Sequence, residues 1–384
     1  MQLRLTNLLI AIIGTVALFT TSCKKDFSKD EPFPPVYEPT VFIGSQNQFL
    51  YAFDPNTGAK KWEYNVGSNI QASPVVMREH IFVTGENGFV HKLNAKTGEL
   101  VKKIKVPGNL LSTPYMEQTG KDGSDYMYIG TGLSNSLYCY DVKGDTMEWT
   151  FNAGGAIYSS PILYDTLVIF GGNDGKVYAV DKEDGVQVWA FDPGTGGAFQ
   201  SSPTISAGYV YIGSADFKLY CIHVTDGTLK WSYQTNGEIG SSPISYGGNA
   251  VFGSNDGYVY CVDTASGVER WKVQTKERIV SSPYAYNQVI YIGSFDYSMY
   301  AINIIDGSIK WQLPTKAIIK SSPMVFDGKL YFGTHEKYMY CVKPENGDLI
   351  WKQNVNGLIE SSPVADSLDG KSRYISSISG HSRY

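Results

Sequence analysis

Charge is scarce in this sequence. Asp, Glu, Lys and Arg make up 18% of its 384 residues, and the formal net charge is −5. A basic surface that would hold nucleic acid is therefore not expected. Cysteine is scarcer still, at five residues, an odd number that argues against a dense disulfide framework. No two cysteines are adjacent, and no C-x-x-C-H haem motif occurs. No G-x-S-x-G elbow, Walker loop or paired-carboxylate constellation stands out. His80, His91, His223, His335 and His381 show no metal-ligand spacing and read as surface or loop residues. Only one apolar run is long, LLIAIIGTVALF from Leu8 to Phe19. As a helix it would span roughly 18 Å, too short for a bilayer core of about 30 Å. What is plentiful points to β structure: 42% hydrophobic residues, 40 Gly, 28 Tyr and 7 Trp.

The first residues read as an address. Arg4 gives a small positive start, the apolar run follows, and Thr20, Thr21 and Ser22 lead to Cys23. These are the parts of a secretory signal. A cysteine directly after small residues resembles the bacterial lipoprotein box, with Thr20 where that family most often has Leu. The resemblance implies a signal peptide over 1–22 and a palmitate-type acyl anchor on Cys23. The chain would then be a cell-envelope protein, held at the outer membrane and facing the periplasm or the surface. Lys24 to Pro39 reads KKDFSKDEPFPPVYEP, with four prolines, so residues 23–39 are expected to be the anchor and a solvated tether. Extended, sixteen such residues reach up to about 50 Å.

The remainder, 40–384, is one unit repeated. Trp62, Trp149, Trp189, Trp231, Trp271, Trp311 and Trp351 recur at intervals near 40, with Lys102 at the vacant position. Each is followed by a second marker: Ser73-Pro74, Thr113-Pro114, Ser160-Pro161, Ser202-Pro203, Ser242-Pro243, Ser282-Pro283, Ser322-Pro323 or Ser362-Pro363. Every unit holds four strand-like runs with alternating apolar residues, separated by turns such as NDG at Asn255 to Gly257. Four-stranded units of about 40 residues are the signature of a β-propeller. The expected fold is all-β, an eight-bladed propeller with four antiparallel strands per blade. Because the chain begins at a second strand, Val41 to Ser45, and ends with a first strand, Ser361 to Ala365, the two termini are expected to share one blade. The segment Arg373 to Tyr384 looks like a ninth second strand running into a third, and would compete with Val41 to Ser45 for one place.

YAFDPNTGAKKW (Tyr51 to Trp62) contains the pattern A-x-D-x-x-T-G-x-x-x-W, and YAVDKEDGVQVW (Tyr178 to Trp189), with Asp184 for Thr, and YCVDTASGVERW (Tyr260 to Trp271), with Cys261 for Ala and Ser266 for Thr, follow it. This resembles the tryptophan-docking motif of pyrroloquinoline-quinone-type propeller repeats over about residues 40–366. The resemblance implies a Trp packed over the neighbouring blade with its indole N–H bonded. Two groups share the repeat. Quinoprotein dehydrogenases carry an adjacent cysteine pair and calcium ligands in longer chains. The BamB-like lipoproteins of the β-barrel assembly machinery lack that equipment, as this chain does. The resemblance to the second group implies a non-catalytic scaffold for envelope proteins, without a cofactor, with a role in outer-membrane protein assembly. A quinone-dependent dehydrogenase and a surface glycan- or ligand-binding lipoprotein are the competing readings.

Cys139, Cys221, Cys261 and Cys341 occupy one small-residue slot in different units, which predicts separate core thiols. Asp174, Asp216, Asp256 and Asp296 fit turn chemistry better than a calcium loop. Since the frame is nearly constant, positions where units disagree are the candidates for function. Three residues before each marker proline stand Gln71, Leu111, Tyr158, Gln200, Gly240, Val280, Lys320 and Glu360, expected at the mouth of a central channel. The hairpins between second and third strands are expected on the same face, bearing Phe217, Tyr297, Lys337 and Tyr338. Exposed aromatics with a few charges suit a protein-binding rim.

Overall fold

In the computed structural model, residues 39–118 and 124–366 are described, together with the backbone of 375–376. The proposed signal, Cys23 and all but the last residue of the tether lie outside the described residues.

Eight antiparallel sheets follow one another, and among the described residues there is no helix. Blade 1 comprises strands Val75–Met77, His80–Gly85, Phe89–Asn94 and Leu100–Lys105. Blade 2 comprises Tyr115–Gln118, Asp125–Gly130, Ser136–Asp141 and Thr146–Asn152, and blade 3 Ile162–Tyr164, Leu167–Gly171, Val177–Asp181 and Gln187–Phe191. Blade 4 runs from Thr204–Ser206 to Leu229–Gln234, blade 5 from Ile244–Tyr246 to Glu269–Gln274, blade 6 from Tyr284–Tyr286 to Ile309–Pro314 and blade 7 from Met324–Phe326 to Leu349–Asn354. Blade 8 is built from both ends: Val364–Asp366 is its first strand, and Thr40–Gly44, Phe49–Phe53 and Lys60–Asn65 complete it. Thr40 pairs with Asp366 and Phe42 with Val364, so chain start and chain end share a ladder.

The ninth strand-like segment does not displace Thr40–Gly44. Ile375–Ser376 pairs with the opposite edge of Val364–Asp366, making blade 8 five-stranded. The edge next to Thr40–Gly44 is already filled, so the other edge is the one left to receive a strand.

Alternation of apolar residues survives only in the fourth strands. Leu229–Gln234 reads exposed, exposed, half-buried, exposed, half-buried, exposed, whereas Leu167–Gly171 is buried throughout. Blades stack face to face, so second strands have no solvent side, and only the outermost strand keeps one. First strands of blades 4 to 7, and those of blades 8 and 1, touch in succession, so the first strands are the ones nearest the axis.

Two repeated contacts fasten blade to blade. All seven Trp indoles donate to a carbonyl of the next blade, at 2.8–3.2 Å, ending with Trp351 to Pro55 across the closure. Each ring lies on the glycine of the next turn. At Gly267, with φ +74°, a Cβ would come within 2.7 Å of the Trp231 ring, so both the backbone and the space require glycine. Nearer the axis, the marker hydroxyls form a closed circle. Ser73 N–H donates to Thr113 Oγ1, Thr113 to Ser160, Ser160 to Ser202, and so on through Ser242, Ser282, Ser322 and Ser362, which donates back to Ser73. These eight buried bonds measure 2.9–3.2 Å. They satisfy amides that first strands too short for a full ladder leave open.

Candidate functional site

The chain turns at one end of every blade in two ways, through the second-to-third hairpin and through the connection into the next blade. Both lie together, because each hairpin donates a backbone N–H to the neighbouring connection. Examples are Asn255 to Glu238 O, Phe295 to Arg278 O and His335 to Ile318 O, at 2.8–3.1 Å. The expected shared face therefore exists, and the candidate residues sit on it.

Its hairpin aspartates are used by the fold. Asp256 accepts from Tyr260 Oη at 2.8 Å, from the Tyr258 amide at 3.1 Å and from the Asn236 amide at 2.9 Å. Asp216 and Asp296 make the corresponding bonds to Tyr220 at 2.5 Å and Tyr300 at 2.6 Å. A carboxylate holding three donors is a structural brace. Among the described residues, no cluster of three or more His, Cys, Asp and Glu is placed to hold a metal ion. The four described cysteines are free, buried and in separate blades. Burial pushes the Cys221 thiol up to about 11 and those of Cys139, Cys261 and Cys341 up to about 12.

The hairpin tips differ in a way that matters. Gly88, Gly175 and Gly257 hold the left-handed position in blades 1, 3 and 5, with φ of 80°, 83° and 84°. Blades 4, 6, 7 and 8 place Phe217, Tyr297, Lys337 and Gln48 there, with φ of 72°, 71°, 70° and 77°. Phe217 is 40% exposed and Tyr297 50%. The carbonyl of Phe217 is held by the amide and hydroxyl of Thr235, and that of Tyr297 by those of Thr315, all at 2.7–2.8 Å. Their rings project from blades 4 and 6, with the glycine-tipped hairpin of blade 5 between them. Tyr338 is not a turn residue: it opens the third strand of blade 7 and is half-buried, with the Lys352 ammonium 4.6 Å from its ring centre.

At the channel mouth, Lys320, Glu360 and His335 come together. Lys320 Nζ lies 2.6 Å from Glu360 Oε2, and His335 Nε2 lies 3.3 Å from Oε1, within ion-pair reach but off the line of a hydrogen bond. Burial would raise the Glu360 carboxyl, but the contacts with His335 and Lys320 outweigh it and hold it at about 2. Gln71 Nε2 donates to Glu86 at 2.6 Å. Leu111 and Tyr158 are half-buried on this rim, while Gln200 and Lys337 are exposed.

Reading all histidines as surface or loop residues fails at His91. It lies inside the third strand of blade 1, is 1% exposed, and its Nδ1 meets Tyr64 Oη at 3.0 Å. Burial and the nearby Lys103 charge lower it to about 4. It fills the slot that Tyr178, Tyr220 and Tyr260 fill elsewhere. Sequence reasoning also passed over Glu86, Phe295 and His335, which share one hairpin position and differ between units. Comparing that column across the repeats would have found them.

A family profile described as outer membrane protein assembly factor BamB matches residues 46–120, 117–245 and 235–367. Among solved structures, BamB from Moraxella catarrhalis is similar over 78% of this chain and 94% of its own, at 17% identity and a TM-score of 0.66. The computationally designed Ika8 protein is similar over 78% and 91%, at 15% identity and a TM-score of 0.67. Quinohemoprotein alcohol dehydrogenase ADHIIG from Pseudomonas putida HK5 is similar over 79% of this chain and 69% of its own, at 14% identity and a TM-score of 0.63. These likenesses concern the fold. No curated protein matches by sequence. The repeats, the Trp docks and a profile match over nearly the whole ring place the chain in the BamB-like family of pyrroloquinoline-quinone-type repeat propellers.

Proposed function

We propose that the chain is a non-catalytic scaffold of the cell envelope, anchored by lipid at Cys23, that presents its hairpin face to protein partners in outer-membrane protein assembly. The observation that carries this reading is the pair Phe217 and Tyr297. Aromatic side chains at left-handed positions cost roughly 1 kcal/mol or more relative to glycine, and three blades avoid that cost. Both rings leave 40–50% of their surface in solvent, apolar area that a partner can cover. Family membership supports a protein-binding role. The hairpin aspartates of the face are engaged in bracing, and the Glu360 carboxylate is paired with Lys320, which favours binding over acid–base chemistry.

Replacing both aromatics by glycine separates binding from folding. Phe217→Gly/Tyr297→Gly is expected to keep or slightly raise the melting temperature, because strain is relieved. Photo-crosslinking of envelope proteins to this face in intact cells is expected to drop at least tenfold. Undiminished crosslinking would remove the face from consideration.

A further inference from the structure

The two ends of the propeller are unlike. Thr40 pairs with Asp366, the last residue of a first strand, and Val41 with Phe53, the last residue of a third. The chain therefore enters blade 8 at the end opposite the second-to-third hairpins. Lys61 Nζ pins it there, donating to Pro39 O at 2.9 Å and lying 3.1 Å from Thr40 Oγ1.

Exposed large apolar residues gather at this same end. Leu133, Phe217 and Tyr297 lie at the hairpin end, whereas Leu100, Val101, Val186, Leu229, Val268, Ile305, Ile309, Leu349 and Ile350 all lie in the turns before the fourth strands or in those strands' first residues. The repeat supplies an internal control. The two positions before each Trp slot are Met147-Glu148, Gln187-Val188, Leu229-Lys230, Glu269-Arg270 and Ile309-Lys310 in blades 2 to 6, with at most one apolar residue each. Only blades 7 and 1 are apolar at both, with Leu349-Ile350 at 53% and 37% exposure and Leu100-Val101 at 45% and 52%. These are the two blades that flank the one the chain enters. Between them, blade 8 presents Lys60 and Lys61 at the same two positions.

We infer that this sector of the outer rim rests on a phospholipid bilayer surface. The inference rests on reading Cys23 as an acyl anchor. A tether that leaves blade 8 starts in this sector, which therefore has the shortest path back to the anchored membrane. Leu100, Val101, Leu349 and Ile350 then reach the acyl boundary, with the exposed Lys60–Glu63 pair between them at the level of the headgroups. Three acids of the sector are engaged within the fold: Glu63 pairs with Lys60 at 2.7 Å, Asp348 with Lys343 at 3.6 Å, and Asp54 accepts from the Thr57 and Asn56 amides of its own turn. The hairpin face with Phe217 and Tyr297 consequently points away from the membrane, towards soluble or surface partners.

The test places a polarity-sensitive fluorophore on Val101→Cys, Ile350→Cys or Tyr297→Cys of the full chain. The four thiols of the propeller are buried and do not compete for the label. Each protein is floated with vesicles of phosphatidylcholine containing one quarter phosphatidylglycerol. Blue-shifted emission, quenched by brominated lipid, is expected at 101 and 350 and absent at 297. Leu100→Glu/Leu349→Glu is expected to abolish the shift while the protein still floats. Flotation with all three labels alike overturns the docking surface and leaves the anchor intact. A chain that does not float at all, and that labels at Cys23, overturns anchor and docking together.

Discussion

At the scale of single residues, one seam shows how the repeat tolerates an exception. Lys102 stands where seven blades have Trp, and the next blade answers with Asp145, φ 62°, where others have glycine. The two form an ion pair, and Asp145 also accepts from Tyr140 Oη. A paired change in two blades has thus replaced an apolar dock with a polar one. Lys102→Trp alone is expected to destabilise, because the indole meets the Asp145 side chain where the other seams offer a bare glycine. Asp145→Gly alone should cost no more than about 1 kcal/mol, since the pair is partly exposed and the strained backbone relaxes. Lys102→Trp/Asp145→Gly should rebuild the standard dock, with the Val142 carbonyl as acceptor. A double-mutant cycle by urea denaturation should show a coupling of about 1–3 kcal/mol, and additive effects would refute the exchange. The Trp slot and its vacancy at Lys102 were visible in the spacing alone. Asp145 as its partner was not, because the two residues lie in different blades and only the folded seam brings the turn of one against the fourth strand of the other.

At the scale of elements, the Ser/Thr-Pro marker has a physical role that its recurrence announces without explaining. First strands of three or four residues cannot satisfy their own amides, and the hydroxyl of the following blade does it for them. Ser202→Ala removes the acceptor of the buried Ser160 amide and should cost about 1–3 kcal/mol in chemical denaturation. Ser202→Thr should restore most of it, as Thr113 already serves at one position of the circle. Equal losses in the two variants would mean that packing, and not the hydroxyl, is what the position needs. The candidate site shows the same division. That Lys320 and Glu360 occupy equivalent positions is legible as a spacing of 40. That they touch, with His335 beside them, follows from the curvature that brings successive loops together at the axis.

At the scale of the whole molecule, closure is the decisive event. Val41, Phe42 and Ile43 are fully buried in a strand that joins the last blade to the first residues of the ring. Burial of three such side chains contributes roughly 5–8 kcal/mol. Deleting residues 40–45 is therefore expected to lower the denaturation midpoint sharply and to split one cooperative transition into several, read by tryptophan fluorescence and circular dichroism together. A single unshifted transition would show that the ring does not depend on this seam. The sequence by itself determined the all-β class, the number of blades, the Trp positions, the burial slot of the cysteines and the sharing of one blade by both termini. These are written in local spacing and carried by a unit that recurs through the chain, so chance does not blur them. Tertiary structure alone decided which edge receives Ile375–Ser376, which hydroxyl meets which amide, that His91 is buried, and that the chain enters opposite the aromatic hairpins. Those features arise where strands and blades pack on one another, so the residues concerned become neighbours only in the folded ring.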